Sequence, residues 1–503
     1  DLVGLEYEPL FPYFKDSKNS FRVVTADFVE ATDGTGIVHL APAFGTDDYE
    51  VFKQENVPFI QHVGMDGRFI DAVTDFAGMH VKPVDDHMKT DIEIIKYLAH
   101  NGKLFSKKKY EHSYPHCWRC DTPLINYATD SWFVAVTKVK ERALEEAKKI
   151  NWSPEHIKEG RFGNWLEGAR DWSISRQRFW ASVMPVWQCQ EDQKKCDYVV
   201  VGSVAELEEL SGKKVDDLHK HIVDEVTFDC KNCGGRMKRV PDVLDTWFDS
   251  GSMPYAQVHY PFENQEQFEA GFPAEFIAEG QDQTRAWFYY LHVLATAIKG
   301  TPAYQNVIVN GIVFAEDRKK MSKKMQNYPD PNKVLETYGA DALRFYLLSS
   351  PVMQAENLSF SEAGVRELFN KTVNSIANVL SFYEMYAGES LPAVEMTRDE
   401  GRETRHVLDS WILARLQELV RDVTDGMERY HLPDATRPIQ EFIADLSQWY
   451  LRRSRERMKQ DGDDKDAALA TLRHVLLELS KVMAPFMPFV SEKVFLALQE
   501  DEE

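Results

Sequence analysis

The chain has 503 residues, with 59 Lys or Arg against 81 Asp or Glu, and its formal net charge is −22. This acidity argues against indiscriminate binding to nucleic acid, although a local basic face can still bind a nucleic-acid substrate. The length exceeds what one hydrophobic core supports, so we expect two to four domains. No apolar run is long enough to span a bilayer, and we expect no membrane partner.

We expect no secretory signal at the start of the sequence, and both ends read as cut. The start, DLVGLEYEPLF, lacks the basic region and the apolar stretch of a secretory signal and also lacks an initiator Met. Residues 491–503 read as a helix that stops abruptly. We therefore expect a cytoplasmic protein and an internal piece of a longer chain.

The first half of the chain predicts short mixed elements. Residues 22–40 alternate around a Gly-rich turn at 33–36, which predicts a β-hairpin. Residues 133–150 are predicted to form a helix. The segment from about 188 to 240 is polar and holds four of the six cysteines, which indicates a small inserted module. Paired cysteines in a cytosolic chain favour metal ligation over disulfides.

Residues 275–309 predict a strand, a turn, a helix and a second strand. Residues 275–278 form the first strand, 283–298 the helix with Gly300 after its end, and 306–309 the second strand. This βαβ order implies a parallel sheet and an α/β fold. Because ligands bind outside the carboxyl ends of such strands, the turn at 279–282 is expected to face the lysine-rich loop that follows the second strand.

That loop, AEDRKKMSKK at 315–324, has five Lys or Arg in ten residues of a strongly acidic chain. Lysines around a small hydroxyl residue can bind a polyphosphate, because Lys acts on phosphate as a flexible point charge. The alternative is a solvated basic turn, which is what most short lysine runs are.

The last part of the chain predicts helices only. Residues 384–404 are polar with Gly and Pro and read as a linker. Ile412, Leu416, Leu419 and Val423 then fall on one helical face, and helices are predicted over about 434–459 and 466–483. We expect a helical bundle here.

Seven segments carry a resemblance to a known family when they are taken in order. They are GTGIVHLAPAFGTDDYE (34–50), SYPHCWRCDTPL (113–124), RDWSISRQRFW (170–180), DVLDTWFDSGSMPYAQVHYPF (242–262), AEGQDQTRAWF (278–288), KMSKK (320–324) and LSQWYLRRSRERM (446–458). Over essentially its whole length the chain resembles the isoleucyl-tRNA synthetases, a family of class I aminoacyl-tRNA ligases. SRQRFW and the stretch ending in HYPF favour the isoleucyl over the valyl branch.

The resemblance implies a Rossmann-like parallel sheet of the class I synthetases. Residues 1–132 would be part of a β-rich editing domain with half a zinc knuckle. Residues 133–365 would be the second half of the catalytic domain with the inserted zinc module, and 366–503 a helical anticodon-binding domain.

The implied activity is ATP-dependent formation of isoleucyl-adenylate and transfer to tRNA(Ile), with hydrolytic editing of mischarged valine. ATP, Mg²⁺ and Zn²⁺ would take part, and the protein would be a monomer. Two alternatives stay open: a valyl or leucyl relative, and a non-catalytic RNA-binding module derived from a synthetase.

The family pattern assigns roles in the ATP and isoleucine sites by position. Lys320 and Lys323 would hold ATP phosphates with Ser322 between them, although the motif ends in Lys324 where the family usually has Ser. Four residues match positions that hold the aminoacyl-adenylate: Glu279, Gly280, Asp282 and Gln283. Their alternative role is a capped helix start. Trp247 and Trp287 match the walls of the isoleucine pocket, and ordinary core tryptophans are the alternative.

The pattern also assigns editing, metal and tRNA residues. The editing motif is matched by His39, Asp48 and Asp47, of which Asp48 is preferred for holding an ammonium group, and a helix cap is the alternative. Zinc would be held by Cys189, Cys196, Cys230 and Cys233, with Cys117 and Cys120 as half of another site. Arg452, Arg453, Arg455 and Arg457 would contact tRNA phosphates, and a solvated charged face is the alternative.

Two family signatures are missing from the sequence. A His-x-Gly-His element and the Thr-rich part of the editing site occur nowhere in the 503 residues. The resemblance implies that both would precede residue 1. We therefore expect that this chain alone does not form isoleucyl-adenylate at a useful rate.

Overall fold

The structure is a computed structural model that describes residues 2–30, 35–109, 111–117, 120–191, 196–322, 326–387 and 406–499. The chain divides into two compact units, Asp1–Asp130 and Ser131–Glu503. Among the described residues, no helix is both long enough and apolar enough to cross a bilayer.

The first unit is built from two helices and short irregular segments. The helices are α1 (Thr46–Gln54) and α2 (Lys89–His100). Its described residues form isolated β-bridges rather than longer strands, such as Val63 with Phe69 and Arg68 with His80. Val63 and Phe76 lie at its small core.

The hairpin predicted over residues 22–40 is not formed in the described residues of that segment. Residues 21–23 exchange backbone hydrogen bonds with residues 4–7 instead. Ile37 and Val38 are 63% and 55% exposed. Alternation stabilises a strand only when one face is buried against neighbours, and this segment has no such face here.

The second unit contains the remaining elements. Its strands are β1 (Phe133–Val134), β2 (Asn151–Ser153), β3 (Trp172–Ser173), β4 (Ser175–Arg176), β5 (Val186–Cys189), β6 (Val199–Val200), β7 (Phe228–Asp229), β8 (Arg236–Arg239), β9 (Val243–Leu244), β10 (Ala274–Gly280), β11 (Tyr304–Asn310), β12 (Val313–Phe314) and β13 (Leu358–Ser359). Its helices up to the bundle are α3 (Val136–Ala147), α4 (Asn164–Glu167), α5 (Val204–Ser211), α6 (Lys220–Val223), α7 (Thr246–Gly251), α8 (Met253–Ala256), α9 (Gln265–Gly271), α10 (Trp287–Ile298), α11 (Pro331–Leu348) and α12 (Glu362–Lys371).

The predicted βαβ unit is confirmed. Strands β10 and β11 pair in parallel, and β2 adds to the other side of β11, so the sheet order is β10-β11-β2. Helix α10 connects β10 to β11 and is apolar on nearly every face, so it is buried almost throughout. Gly300 ends the connection with φ +68°, the left-handed conformation that Gly adopts without steric cost.

The inserted module forms an antiparallel sheet of its own. Its strand order is β6-β5-β8-β7, and Trp187, Leu207, Val223 and Met237 lie in its core. Helix α5 begins at Ser203, whose side chain accepts a hydrogen bond from the Glu206 backbone N–H.

The C-terminal helices pack into the expected bundle. They are α13 (Val373–Ala387), α14 (Val407–Glu428), α15 (Leu432–Ala444), α16 (Arg452–Lys459), α17 (Asp463–Met483) and α18 (Pro488–Leu498). The predicted apolar face of α14 is confirmed, because Ile412, Leu416, Leu419 and Val423 are all buried. A π-helical segment, Asp445–Leu451, joins α15 to α16. Most of the predicted linker, residues 388–405, lies outside the described residues.

Candidate functional site

The carboxyl ends of β10 and β11 meet at one edge of the sheet. Gly280 pairs with Asn310 in the parallel register, so the turn after β10 and the segment after β11 leave from the same edge. A Cβ added at Gly311 would lie 1.8 Å from the Glu356 carbonyl oxygen. Only Gly therefore fits where the chain turns from β11 toward the lysine loop.

The turn after β10 combines exposed carboxylates with a helix start. Glu279 and Asp282 are exposed, and a Cβ on Gly280 would lie 2.7 Å from Asp282 Oδ1. The Gln283 amide oxygen accepts a hydrogen bond from the Trp287 backbone N–H at 3.0 Å, and its Nε2 donates to Asp282 Oδ2 at 3.0 Å. Gln283 thus caps α10, which is the alternative role expected from the sequence, and it also orients Asp282.

Arg161 holds this turn in place through two hydrogen bonds. Its Nε donates to the Gln281 carbonyl oxygen and to Thr284 Oγ1, each at 3.0 Å, and Thr284 is fully buried. Sequence reasoning missed this residue because it lies 120 positions before the turn, and no local pattern connects the two.

The amide side chain of Asn327 contacts the backbone of the lysine loop at two points. Asn327 Oδ1 accepts from the Ser322 backbone N–H at 2.9 Å, and its Nδ2 donates to the Lys320 carbonyl oxygen at 3.2 Å. The Lys320 side chain is exposed. Lys323, the residue expected to matter most, and Lys324 lie outside the described residues.

Trp247 and Trp287 lie where α7 packs against α10, and both are half-buried. Trp247 stacks on Tyr290 with ring centroids 5.5 Å apart and planes 20° apart. Trp287 Nε1 donates to the Ser250 carbonyl oxygen at 3.0 Å. The two predicted pocket walls are therefore brought to the same helix contact, next to the turn that follows β10.

A buried carboxylate anchors these rings. Tyr290 also packs on Trp172, with centroids 4.4 Å apart, and Trp172 Nε1 donates to Asp245 Oδ2 at 3.1 Å. Asp245 is 5% exposed and pairs with Arg176 at 3.1 Å. Burial raises the pKa of nearby Asp249, and the charge of Asp245 adds to the rise. Sequence reasoning overlooked Asp245, although it lies two residues before Trp247.

Four cysteine sulfurs of the inserted module converge. The Sγ atoms of Cys189, Cys196, Cys230 and Cys233 all lie within 4.8 Å of one another, and the first three residues are buried. Cys230 and Cys233 lie on a turn closed by a hydrogen bond from Gly234 N to the Cys230 carbonyl oxygen, with Gly234 at φ +71°. The hydrogen bond to Cys233, together with burial, raises the pKa of the Cys196 thiol.

Cys117 and Cys120 lie in the first unit, where the Asp121 backbone N–H donates to the Cys117 carbonyl oxygen. Thr122 lies 3.2 Å from Cys120 Sγ and lowers the pKa of that thiol by hydrogen bonding. Among the described residues, the only cluster of three or more potential ligands is the one at Cys189. The half-site therefore has no further ligand in the described part of the chain.

The predicted editing residues lie at the start of α1 or before it. Asp48 Oδ2 accepts from the Ala41 backbone N–H at 2.9 Å and so holds the turn that precedes the helix. Asp47 and His39 are exposed. Burial lowers the pKa of His62, and the charge of His39 lowers it further.

The four predicted tRNA arginines divide into two groups. Arg452, Arg453 and Arg455 are exposed on α16, and the Arg453 guanidinium lies 3.8 Å from the ring centroid of exposed Trp449. The side chain of Arg457 is only 12% exposed, and its guanidinium donates to Asp409 and Asp464. Two carboxylates of the protein therefore hold Arg457, which favours a structural role, and its contact with a phosphate stays a prediction.

A family model described as tRNA synthetases class I (I, L, M and V) matches residues 16–359. The chain belongs to this family. A second model, the anticodon-binding domain of tRNA ligase, matches residues 409–503 and so covers the bundle from α14 to α18. The resemblance drawn from the seven sequence segments is thereby confirmed.

Relatives of this synthetase chain include two isoleucine–tRNA ligases. The one from Treponema denticola is 48% identical over 528 residues, covering all of this chain and 47% of the relative. The one from Chlamydia trachomatis serovar D is 47% identical over 510 residues, with the same two coverages. The chain thus spans about half the length of the curated relatives it matches.

Two solved structures share the fold of this synthetase chain. A LeuRS from Agrobacterium radiobacter K84, in a ternary complex with tRNA and LeuAMS, has a TM-score of 0.51 and 22% identity, covering 66% of this chain and 42% of that one. A Mycobacterium tuberculosis methionyl-tRNA synthetase bound by methionyl-adenylate has a TM-score of 0.52 and 17% identity, covering 76% and 65%.

Proposed function

We propose that this chain supplies the lysine-loop half of the catalytic domain, together with the tRNA-binding bundle, of an isoleucine–tRNA ligase. The reaction joins the isoleucine carboxylate to the α-phosphate of ATP, releases pyrophosphate, and passes the acyl group from AMP to the terminal adenosine of tRNA(Ile). The observation that carries the proposal is the pairing of Gly280 with Asn310, which brings the adenylate-type turn and the lysine loop to one sheet edge. The names of the relatives favour isoleucine over valine or leucine.

In this proposal the sheet edge binds ATP. The exposed ammonium of Lys320 would neutralise the phosphates together with Lys323, while Asn327 keeps the Ser322 backbone in place. Glu279 and Asp282 would accept hydrogen bonds from ribose hydroxyls or an ammonium group. Positioning and electrostatic stabilisation supply most of such catalysis. Mg²⁺ would accompany ATP and add charge neutralisation at the phosphates.

Trp247 and Trp287 form the proposed isoleucine pocket, with Asp245 as a positioning residue behind the ring stack. An apolar pocket separates isoleucine from valine by only about 1–3 kcal/mol, and isoleucyl-tRNA synthetases are the standard example of this limit. The limit supports the proposal that the first unit edits mischarged valine, with Asp48 or Asp47 and His39 as candidate residues.

Zinc is proposed at the four converging cysteines. A tetrahedral ion with Zn–S bonds of about 2.3 Å sets its sulfurs about 3.8 Å apart. The observed Sγ–Sγ distances of 3.4 Å and 3.5 Å from Cys233 to Cys189 and Cys196 are close to that spacing. When bound, the ion would hold the thiolates together and join β5 to the turn after β7.

The tRNA contact is proposed on α16 and its surroundings. Arg455 lines a groove of about 340 Å³ that also includes Phe382 and Ser447, and it lies over the Phe382 ring at 5.7 Å. Arg452 and Arg453 extend the cationic surface, and Trp449 offers a ring face. Arg suits phosphate contact because its planar fork donates two hydrogen bonds at once. A monomeric, cytoplasmic protein is part of the same proposal.

The test replaces the matching part of the Treponema denticola ligase with this chain and measures amino-acid-dependent pyrophosphate exchange. We expect exchange that depends on isoleucine and that Lys320→Ala reduces at least tenfold, because one phosphate-binding charge is lost. This chain alone should give no exchange. A folded chimaera whose exchange depends on valine or leucine would contradict the proposal.

A further inference from the structure

Four rings form an exposed array, and we call it the ring platform: Phe179, Trp180, His219 and His221. Trp180 and Phe179 are 72% and 64% exposed. Trp180 faces His219 with centroids 5.0 Å apart, Phe179 faces His221 at 6.3 Å, and the two imidazoles are 6.1 Å apart.

The rings of the platform are attached to ordered segments of the chain. Phe179 and Trp180 lie in the segment between β4 and Val183, which pairs with β9 at Val243. The histidines lie at the start of α6, whose Val223 is buried in the module core. Asp217 Oδ1 lies 2.6 Å from His219 Nδ1 and fixes the orientation of that ring. The rings therefore present preformed faces, although they come from segments about forty residues apart in the chain.

We infer that the ring platform binds unpaired bases of a single-stranded RNA segment by stacking. Aromatic rings bind successive bases without sequence readout because every base has a π-face. Arg178 precedes the rings and is exposed, so it can meet a backbone phosphate while the bases lie on the platform. The carboxylate of Asp217 repels a phosphate at His219. The rings therefore favour the uncharged face of a base over a phosphate.

A protein partner fits this surface less well. Stable protein interfaces cover roughly 800 Å² on each partner, whereas the features that carry this inference are four rings and one exposed arginine. Single-stranded RNA needs only a few stacked bases and a cation. The inference rests on the proposed function only in taking RNA as the partner, since it places the contact on the segment before β5 and on α6 rather than on the helical bundle.

The test measures binding of a short fluorescent single-stranded oligoribonucleotide to the full chain by anisotropy. Loss of stacking typically costs about 1–3 kcal/mol per base, so we expect Trp180→Ala to raise Kd about 5- to 150-fold. Trp180→Phe should keep most of the affinity. The slope of log Kd against log salt should not change, because no phosphate contact is removed.

Phe262→Ala is the matched control, because Phe262 is 58% exposed and also lies beside a histidine, His259, at 5.3 Å. This substitution should leave the Kd for the probe unchanged. A blunt RNA duplex, which has no unpaired bases, should not compete with the probe. Unchanged unfolding temperatures for all variants would show that stacking, not folding, is altered. Failure of the native chain to bind, or a Kd for Trp180→Ala within twofold of native, would overturn the inference. Neither result depends on aminoacylation, so failure of this inference can be told apart from failure of the proposed function.

Discussion

At the residue scale, Arg457 shows how a charged side chain can serve packing rather than binding. Asp409 is 2% exposed and accepts from both Arg457 and the Tyr450 hydroxyl. Although burial acts to lower it, the hydrogen bonds to Asp464 and Asp409 hold the pKa of Arg457 above its usual value. The network joins α14, α16 and α17 at one point.

Replacing Arg457 with Ala is expected to destabilise the bundle by about 3–5 kcal/mol, because it leaves the buried carboxylate of Asp409 without its charge partner. Denaturant unfolding followed by circular dichroism measures this loss. Arg455→Ala is the matched control, since an exposed substitution changes stability by at most about 0.5 kcal/mol. Equal stability of the two variants would show that the ion pair contributes little.

His292 makes stability depend on pH. It is fully buried between α10 and α3, and its Nε2 donates to the Ala143 carbonyl oxygen at 2.8 Å. Burial lowers the pKa of His292, so the folded chain holds the neutral ring while the unfolded chain takes up a proton near pH 6.5. This contribution is therefore complete above about pH 6.5 and lost as the pH falls, by up to about 1.4 kcal/mol per unit.

Unfolding free energies measured between neutral and mildly acidic pH should fall more steeply for the native chain than for His292→Gln, which cannot take up the proton. The difference between the two profiles isolates His292 from the other histidines. Parallel profiles would mean that the ring is accessible to protons in the folded chain.

At the element scale, helices and strands could be predicted where a local sequence pattern determines them. The βαβ unit was predictable because two short apolar strands flank a long apolar helix, and Gly300 marks the end of that helix. The hairpin at 22–40 was predicted wrongly, because alternation of apolar and polar residues does not show whether a neighbouring strand covers the apolar face. The contacts of Arg457 and Arg161 within the protein were not predictable for a related reason. Their partners Asp409 and Thr284 lie 48 and 123 positions away.

The inserted module offers a test of metal dependence. We expect about one zinc per chain by elemental analysis, and almost none after Cys230→Ser, with loss of the module's ordered packing. Structural zinc contributes a large binding free energy, about 10–16 kcal/mol in zinc-finger peptides, that folding of the ligands cannot replace.

The matched control is Cys117→Ser, which removes a cysteine with no four-sulfur cluster around it in the described residues. It should leave the zinc content unchanged. Zinc retained after Cys230→Ser would refute the four-cysteine site, and zinc lost after Cys117→Ser would place metal at the half-site instead.

At the scale of the whole molecule, an acidic chain concentrates its binding chemistry in few places. Exposed Lys319 and Lys320, the exposed arginines of α16 and Arg178 are local cationic features in a protein of charge −22. Each lies near a ring or a carboxylate turn that can hold the rest of a nucleotide. This distribution suits selective binding of ATP and tRNA better than general attraction to polyanions.

The central claim is that the contact between α7 and α10 recognises isoleucine beside a nucleotide site. Its most direct test is calorimetric titration of this chain with non-hydrolysable isoleucyl- and valyl-adenylate analogues. We predict that the isoleucyl analogue binds about tenfold or more tightly than the valyl analogue, that Trp247→Ala removes the preference, and that Trp449→Ala does not. Equal binding of the two analogues, or a preference that survives Trp247→Ala, would contradict the account.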